Sequence, residues 1–157
     1  MNSELQIFLS YAGEDAFEAT LLQGAIESLL KDLHVSVWTY GRDQARDERS
    51  ISNSLRDRIK RSSAAIILLS QFTLESGGTQ WIELAYADAF GVPIFILLHH
   101  LTFDELRRAD RGVPSLVLEG QCTPAADWKS LENGLRRCLK SAGREGLSEE
   151  STPIDKD

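Results

Sequence analysis

Two apolar runs without a polar face constrain this chain more than any other feature. Ala64-Ala65-Ile66-Ile67-Leu68-Leu69 has strand length and largely strand composition, and Val92-Pro93-Ile94-Phe95-Ile96-Leu97-Leu98 is a second such run. A strand with one wet face alternates apolar and polar residues, so strands that do not alternate must be covered on both sides. Between the runs, Trp81 to Phe90 has no β-branched residue except Ile82 and is followed by Gly91, which predicts a helix with a glycine stop. Strand, helix and strand in this form predict a parallel sheet with helices on both faces.

The rest of the chain repeats the alternation. Leu5 to Leu9 is the first expected strand, and Ser10 to Asp15 a short polar turn. The helix after it carries Phe17, Leu21, Leu22, Ala25, Ile26, Leu29, Leu30 and Leu33, a stripe at helical spacing. Val35 to Trp38 is a second strand, and Thr39 to Arg49 is longer than an ordinary βα loop. Ser50 is placed to cap a helix with Ile51, Leu55 and Ile59 on one face. Beyond the second apolar run, Phe103 to Arg111 reads as a short amphipathic helix and Ser115 to Leu118 as a marginal fifth strand. Asp127 can cap a last helix carrying Trp128, Leu131, Leu135, Cys138 and Leu139. From Gly143 the composition turns to Gly, Ser, Glu, Lys, Asp and Pro, which predicts one domain over 1–142 and a disordered acidic tail over 143–157. The expected fold is α/β, a flavodoxin-like five-stranded parallel sheet with helices on both faces.

Charge and motif content narrow the function. Seventeen Lys and Arg against 24 Asp and Glu leave a net charge of −7, which disfavours nucleic acid and anionic membranes as partners. No apolar run approaches the roughly 18 residues of a membrane span, and Met1-Asn2-Ser3-Glu4 lacks the features of a signal peptide, so a cytoplasmic protein is expected. Cys122 and Cys138 have neither metal nor redox spacing and read as reduced thiols, Cys138 in a helix core and Cys122 in a loop. There is no G-x-G-x-x-G, no Walker loop and no G-x-S-x-G. His99-His100 invites a metal, but adjacent strand residues point to opposite faces and no third ligand stands at helical spacing, so none is expected.

Three polar segments should share the carboxyl-terminal rim of the sheet, where open α/β sheets bind ligands: Ser10 to Asp15, Thr39 to Arg49, and Ser70 to Gln80. Glu83 opens the helix beside that rim. Its same-face neighbours are Thr79, Gln80, Tyr86, Ala87 and Phe90, while Asp88 lies roughly 140° away. An acid there has an ordinary explanation in the helix dipole. Against it, the helix looks too apolar to be an outer one, and its N-terminus should meet the rim.

Taken together, four segments resemble a known family in order and separation. They are Ile7-Phe8-Leu9-Ser10-Tyr11 with Asp15; Val35-Ser36-Val37-Trp38 ahead of a long loop; Ala65 to Ser70; and Glu83-Leu84-Ala85-Tyr86-Ala87 with Gly91, Pro93 and Ile94. That family is the bacterial-type Toll/interleukin-1 receptor (TIR) domain. The resemblance implies an NAD⁺ glycohydrolase or cyclase, giving nicotinamide and ADP-ribose or a cyclic isomer, with Glu83 as the catalytic carboxylate. NAD⁺ is then the substrate, and no bound cofactor is implied. Ser10 and Tyr11 become candidate contacts to ribose or phosphate, and Trp38, Tyr40 and Trp81 candidate surfaces for the nicotinamide or adenine ring. Trp38 fits the core equally well, and Trp81 lies far round the helix from Glu83. The family's Trp stands four residues before its Glu, where this chain has Thr79. The resemblance also implies self-association through TIR–TIR contacts, a separate sensor or effector protein, and a setting in bacterial antiphage defence. Two other readings stay open: a TIR interaction module without catalysis, and a nucleoside deoxyribosyltransferase-like enzyme.

Overall fold

The computed structural model describes residues 5–39, 48–76, 78–109, 113–120 and 122–151. Five strands form one sheet: β1 (Leu5–Ser10), β2 (Val35–Thr39), β3 (Ala64–Leu69), β4 (Ile94–Leu98) and β5 (Cys122–Pro124). All neighbours are parallel and the order is β2-β1-β3-β4-β5, the flavodoxin-like arrangement. The helices are α1 (Ala16–Leu29), α2 (Glu48–Arg61), α3 (Gln71–Ser76), α4 (Gly78–Ala89), α5 (Phe103–Ala109), α6 (Ser115–Glu119) and α7 (Trp128–Ser151). Short 3-10 turns cover Gly13–Asp15 and Lys31–Leu33.

Strand parity sorts the core. Ile7, Leu9, Ile66, Leu68 and Leu97 face α1 and α7, packing on Leu22, Ile26, Leu131 and Leu135. Phe8, Ala65, Ile67, Leu69, Ile96 and Leu98 face the other way, toward Leu55 and Ile59 of α2, Leu84 and Ala87 of α4, and Leu106 of α5. All six residues of β3 are buried, which is why that run carries no polar face.

The glycine stop behaves as expected. Gly91 has φ 72°, its N–H donates to Asp88 O at 3.1 Å, and Val92 N–H reaches back to Ala87 O at 2.9 Å. This is a Schellman closure that needs a left-handed residue. No atom lies within 4 Å of where a Cβ would stand. Gly91→Ala is therefore expected to lose only the backbone preference, about 1 kcal/mol, in a urea unfolding curve.

Several expectations change. Ser115 to Leu118 is not the fifth strand but helix α6, set by Pro114 at its N-cap with φ −62° and with Val117 buried. A four-residue apolar run carries no period that separates the two. The strand is Cys122–Pro124, so Cys122 is not in a loop; a sheet edge tolerates Pro124 because no further ladder partner needs its N–H. Ser50 is not a cap, because α2 begins at Glu48, and acidic residues favour that end of a helix. The α1 stripe is wider than the buried face: Leu22, Ile26 and Leu30 are buried, while Phe17 is 70% and Leu21 58% exposed. The backbone of α7 continues to Ser151, into the stretch from Gly143 whose composition predicts disorder. No proline interrupts it before Pro153, and most of its residues are good helix formers.

Candidate active site

The segment expected as a polar loop, Ser70 to Gln80, is largely helical, and this moves Glu83. Ser70 starts α3: its N–H donates to Thr73 Oγ1 at 3.1 Å and its Oγ accepts from Phe72 N–H at 3.2 Å. Helix α4 then begins at Gly78, so Glu83 sits in its second turn. The dipole effect fades within the first turn, so it does not account for a carboxylate here. The helix is also an outer one after all. Ile82, Ala85, Asp88 and Ala89 are exposed, while Gln80, Glu83, Leu84 and Ala87 are buried.

Glu83 is 4% exposed and points at the end of β1, where Ser10 Oγ donates to its Oε1 at 2.5 Å. Burial pushes the Glu83 carboxyl up to about 7, and the Ser10 hydroxyl opposes that by favouring the charged form. A buried acid so shifted is poised to hold or release a proton near neutral pH. This is the arrangement expected where charge develops on a bound molecule.

A second strand-end serine does the mirror task. Ser70, at the end of β3, donates from Oγ to Oδ2 of Asp15 at 2.5 Å. The pairs are crossed: the serine that ends β1 holds an acid that follows β3, and the serine after β3 holds an acid that follows β1. Beside them, Thr73 Oγ1 donates to Gln80 Oε1 at 2.7 Å and Gln80 Nε2 donates to Leu68 O at 2.8 Å. The rim of β1 and β3 is thus a buried, hydrogen-bonded polar frame. In the sequence, Asp15 and Ser70 enter as parts of the family-like segments and Gln80 as a same-face neighbour of Glu83, but none of them, nor Thr73, is given a role at the site. A serine directly ending an apolar strand is the signal that marks Ser70; Asp15, Thr73 and Gln80 carry none in local spacing.

The other expected contacts scatter. Ser10 meets Glu83. Trp38 lies on the same sheet face, stacked on Phe8 with ring centroids 5.4 Å apart, and Arg58 sits over it at 5.2 Å. Tyr11 packs on the opposite face with the cluster of Ile7, Leu9 and Ala19. Trp81 packs with Ile67, Leu69 and Leu84, toward β4. Tyr40 and most of the long loop after β2 lie outside the described residues. Among the described candidates, Ser10 is the one with a hydrogen bond to Glu83.

Solved structures share the fold. A 2-desoxiribosyltransferase from Leishmania mexicana matches with TM-score 0.59 and 19% identity, covering 78% of this chain and 92% of that one. The TIR domains of the activated Roq1 resistosome, which directly recognises the pathogen effector XopQ, match with TM-score 0.55 and 15% identity, covering 90% of this chain and 99% of that one. No family model matches the sequence, and no curated protein does either. At such identities the likeness concerns the fold, shared here by a TIR domain and a deoxyribosyltransferase.

Proposed function

We propose that this chain cleaves the bond between nicotinamide and ribose in NAD⁺, with Glu83 as the carboxylate that serves the reacting ribose. The observation that carries this is the buried Glu83, held by Ser10 at the carboxyl-terminal rim of β1 and β3 and poised near neutrality. The nicotinamide of NAD⁺ is a cationic leaving group. When the bond from ribose C1′ to the ring nitrogen breaks, the electron pair stays on that nitrogen and nicotinamide departs neutral, without a general acid. The ribose is left oxocarbenium-like, and a carboxylate beside it offsets that charge. Water then adds at C1′ and gives up a proton, which the carboxylate can take. If a ring nitrogen of the same molecule's adenine attacks instead, the product is cyclic.

A second reading is N-glycosidic transfer on a 2′-deoxynucleoside, favoured by the likeness to the deoxyribosyltransferase structure. A carboxylate at the same rim suits that chemistry as well. A third is a TIR interaction module. Incubating the full chain with NAD⁺, and separately with a deoxynucleoside plus a second free base, distinguishes them by chromatography. Nicotinamide release with no base exchange is the expected result. Base exchange with NAD⁺ intact overturns the proposal in favour of transfer, and neither reaction favours the module.

Self-association belongs to the same proposal, supported by a TIR likeness found in an oligomeric assembly. Turnover per chain should rise with protein concentration. Constant turnover per chain in protein shown to be monomeric would remove this part. Among the described residues no helix is long and apolar enough to cross a membrane. A cytoplasmic setting, a role in antiphage defence and a separate sensor or effector protein complete the proposal.

A further inference from the structure

Across the sheet from Glu83 lies a group of side chains that the proposed reaction does not use. Asp15 ends the 3-10 turn after β1, Glu18 lies in the first turn of α1, and His99 follows β4. One ligand atom from each lies within 4.8 Å of the other two. Cations bound by imidazole nitrogen and carboxylate oxygen sit at about 2.0–2.2 Å from each, which sets ligand atoms some 3–4 Å apart. The ligand atoms would therefore have to draw together by up to about 1 Å on binding.

Three further observations point to a ligand at this place. Asp15 is 2% exposed, yet among the described residues its side chain bonds only the Ser70 hydroxyl, on Oδ2. Among the described residues no Lys or Arg pairs with it, although a carboxylate so deeply buried needs a counter-charge. The Ser70 hydrogen bond is also what a metal-binding carboxylate commonly has behind it, orienting one oxygen while the other stays open. Finally, Glu18 and His99 both line a cavity of about 760 Å³ whose other walls include Leu22, Leu68, Phe103 and Trp128. A cation held there would keep a coordination position open to a largely apolar cleft.

We propose that Asp15, Glu18 and His99 hold a divalent first-row cation, zinc or manganese, whose open position faces this cavity and takes water or the anionic oxygen of a small molecule. One imidazole among two carboxylates suits these ions better than magnesium or calcium, which favour all-oxygen sites. The chain-order objection to His99-His100 does not apply, because His100 is not part of the set. Its ring packs against that of His99, with centroids 4.3 Å apart, but no atom of it joins the three clustered ligand atoms, and the partners of His99 come from the segment after β1.

The test uses the full chain, stripped with a chelator and titrated with Zn²⁺ by calorimetry and with Mn²⁺ by electron paramagnetic resonance. Mn²⁺ has little affinity for the thiols of Cys122 and Cys138. The expected result is one saturable site per chain, weakened about tenfold or more in Glu18→Gln and in His99→Ala and unchanged in His100→Ala. Bound ion should also raise the melting temperature of the wild type. Should His99→Ala not fold, Glu18→Gln decides alone, since its side chain is half-exposed and isosteric. No saturable binding of either ion to folded wild type overturns the proposal. So does binding that survives the Glu18 and His99 substitutions, or that only His100→Ala removes.

Discussion

Replacing Glu83 by Gln is expected to lower nicotinamide release from NAD⁺ by about a thousandfold, the usual scale for removing a base or a charge-stabilising group. Gln keeps the shape and can still accept from Ser10 Oγ, so the frame at the end of β1 survives while the negative charge is lost. The loss should fall on kcat more than on KM, because the charge matters where the ribose becomes oxocarbenium-like. Initial rates of nicotinamide release across NAD⁺ concentrations measure both. Ser10→Ala is the companion variant in this experiment. The Ser10 hydrogen bond lowers the Glu83 pKa against the effect of burial, so its removal should move the acidic limb of the rate profile to higher pH. A Glu83→Gln protein that retains most of its rate would remove Glu83 from the chemistry, whatever the fold.

The same side chain should also govern how stability depends on pH. Its carboxyl is raised from 4.5 unfolded to about 7 folded, so native protein holds a proton that the unfolded chain has released. Below pH 4.5 both states are protonated and Glu83 contributes no slope. Between 4.5 and about 7 stability falls as pH rises, and above about 7 it levels off. The total loss is about 3 kcal/mol, from a free energy near 1.4 kcal/mol for each pH unit of displacement. Glu83→Gln has no proton to lose there. It should unfold at nearly the same urea concentration as wild type at pH 4.5, and be more stable by about 3 kcal/mol at pH 8. Asp32, held below its usual range by Arg136, and Glu105, held below by Thr102, have the opposite sign. Their contribution is lost as pH falls below the ordinary carboxylate range, outside the window set by Glu83. Equal pH profiles for wild type and variant would mean that Glu83 is already solvated in the native protein. A carboxylate that costs stability at neutral pH is what a functional site retains and a purely structural site does not.

Much of this architecture was legible in the chain. Ala64 to Leu69 and Ile94 to Leu98 declare themselves as covered strands by lacking a polar face, and Gly91 marks the end of α4 through a backbone geometry that only glycine adopts freely. A parallel sheet with helices on both faces follows from these local patterns. Glu83 could be singled out because it is an acid among apolar residues on a helix beside the rim. Short elements were not legible. Ser115 to Leu118 and Cys122 to Pro124 are too brief to show a period, so packing and Pro114 decided which became helix and which became strand.

Sequence by itself therefore determined the fold class, the order of the long elements and the position of one candidate carboxylate, because periodicity and turn chemistry act over a few residues. Only the tertiary structure decided which polar groups meet. Ser10 finds Glu83 across 73 residues of chain, Ser70 finds Asp15 across 55, and His99 comes to Asp15 and Glu18 from a distant strand end. It also decided that Phe17 and Leu21 face outward while Leu22 and Ile26 are buried. The parallel sheet gathers all its strand ends on one rim, and that gathering has no signature in local spacing.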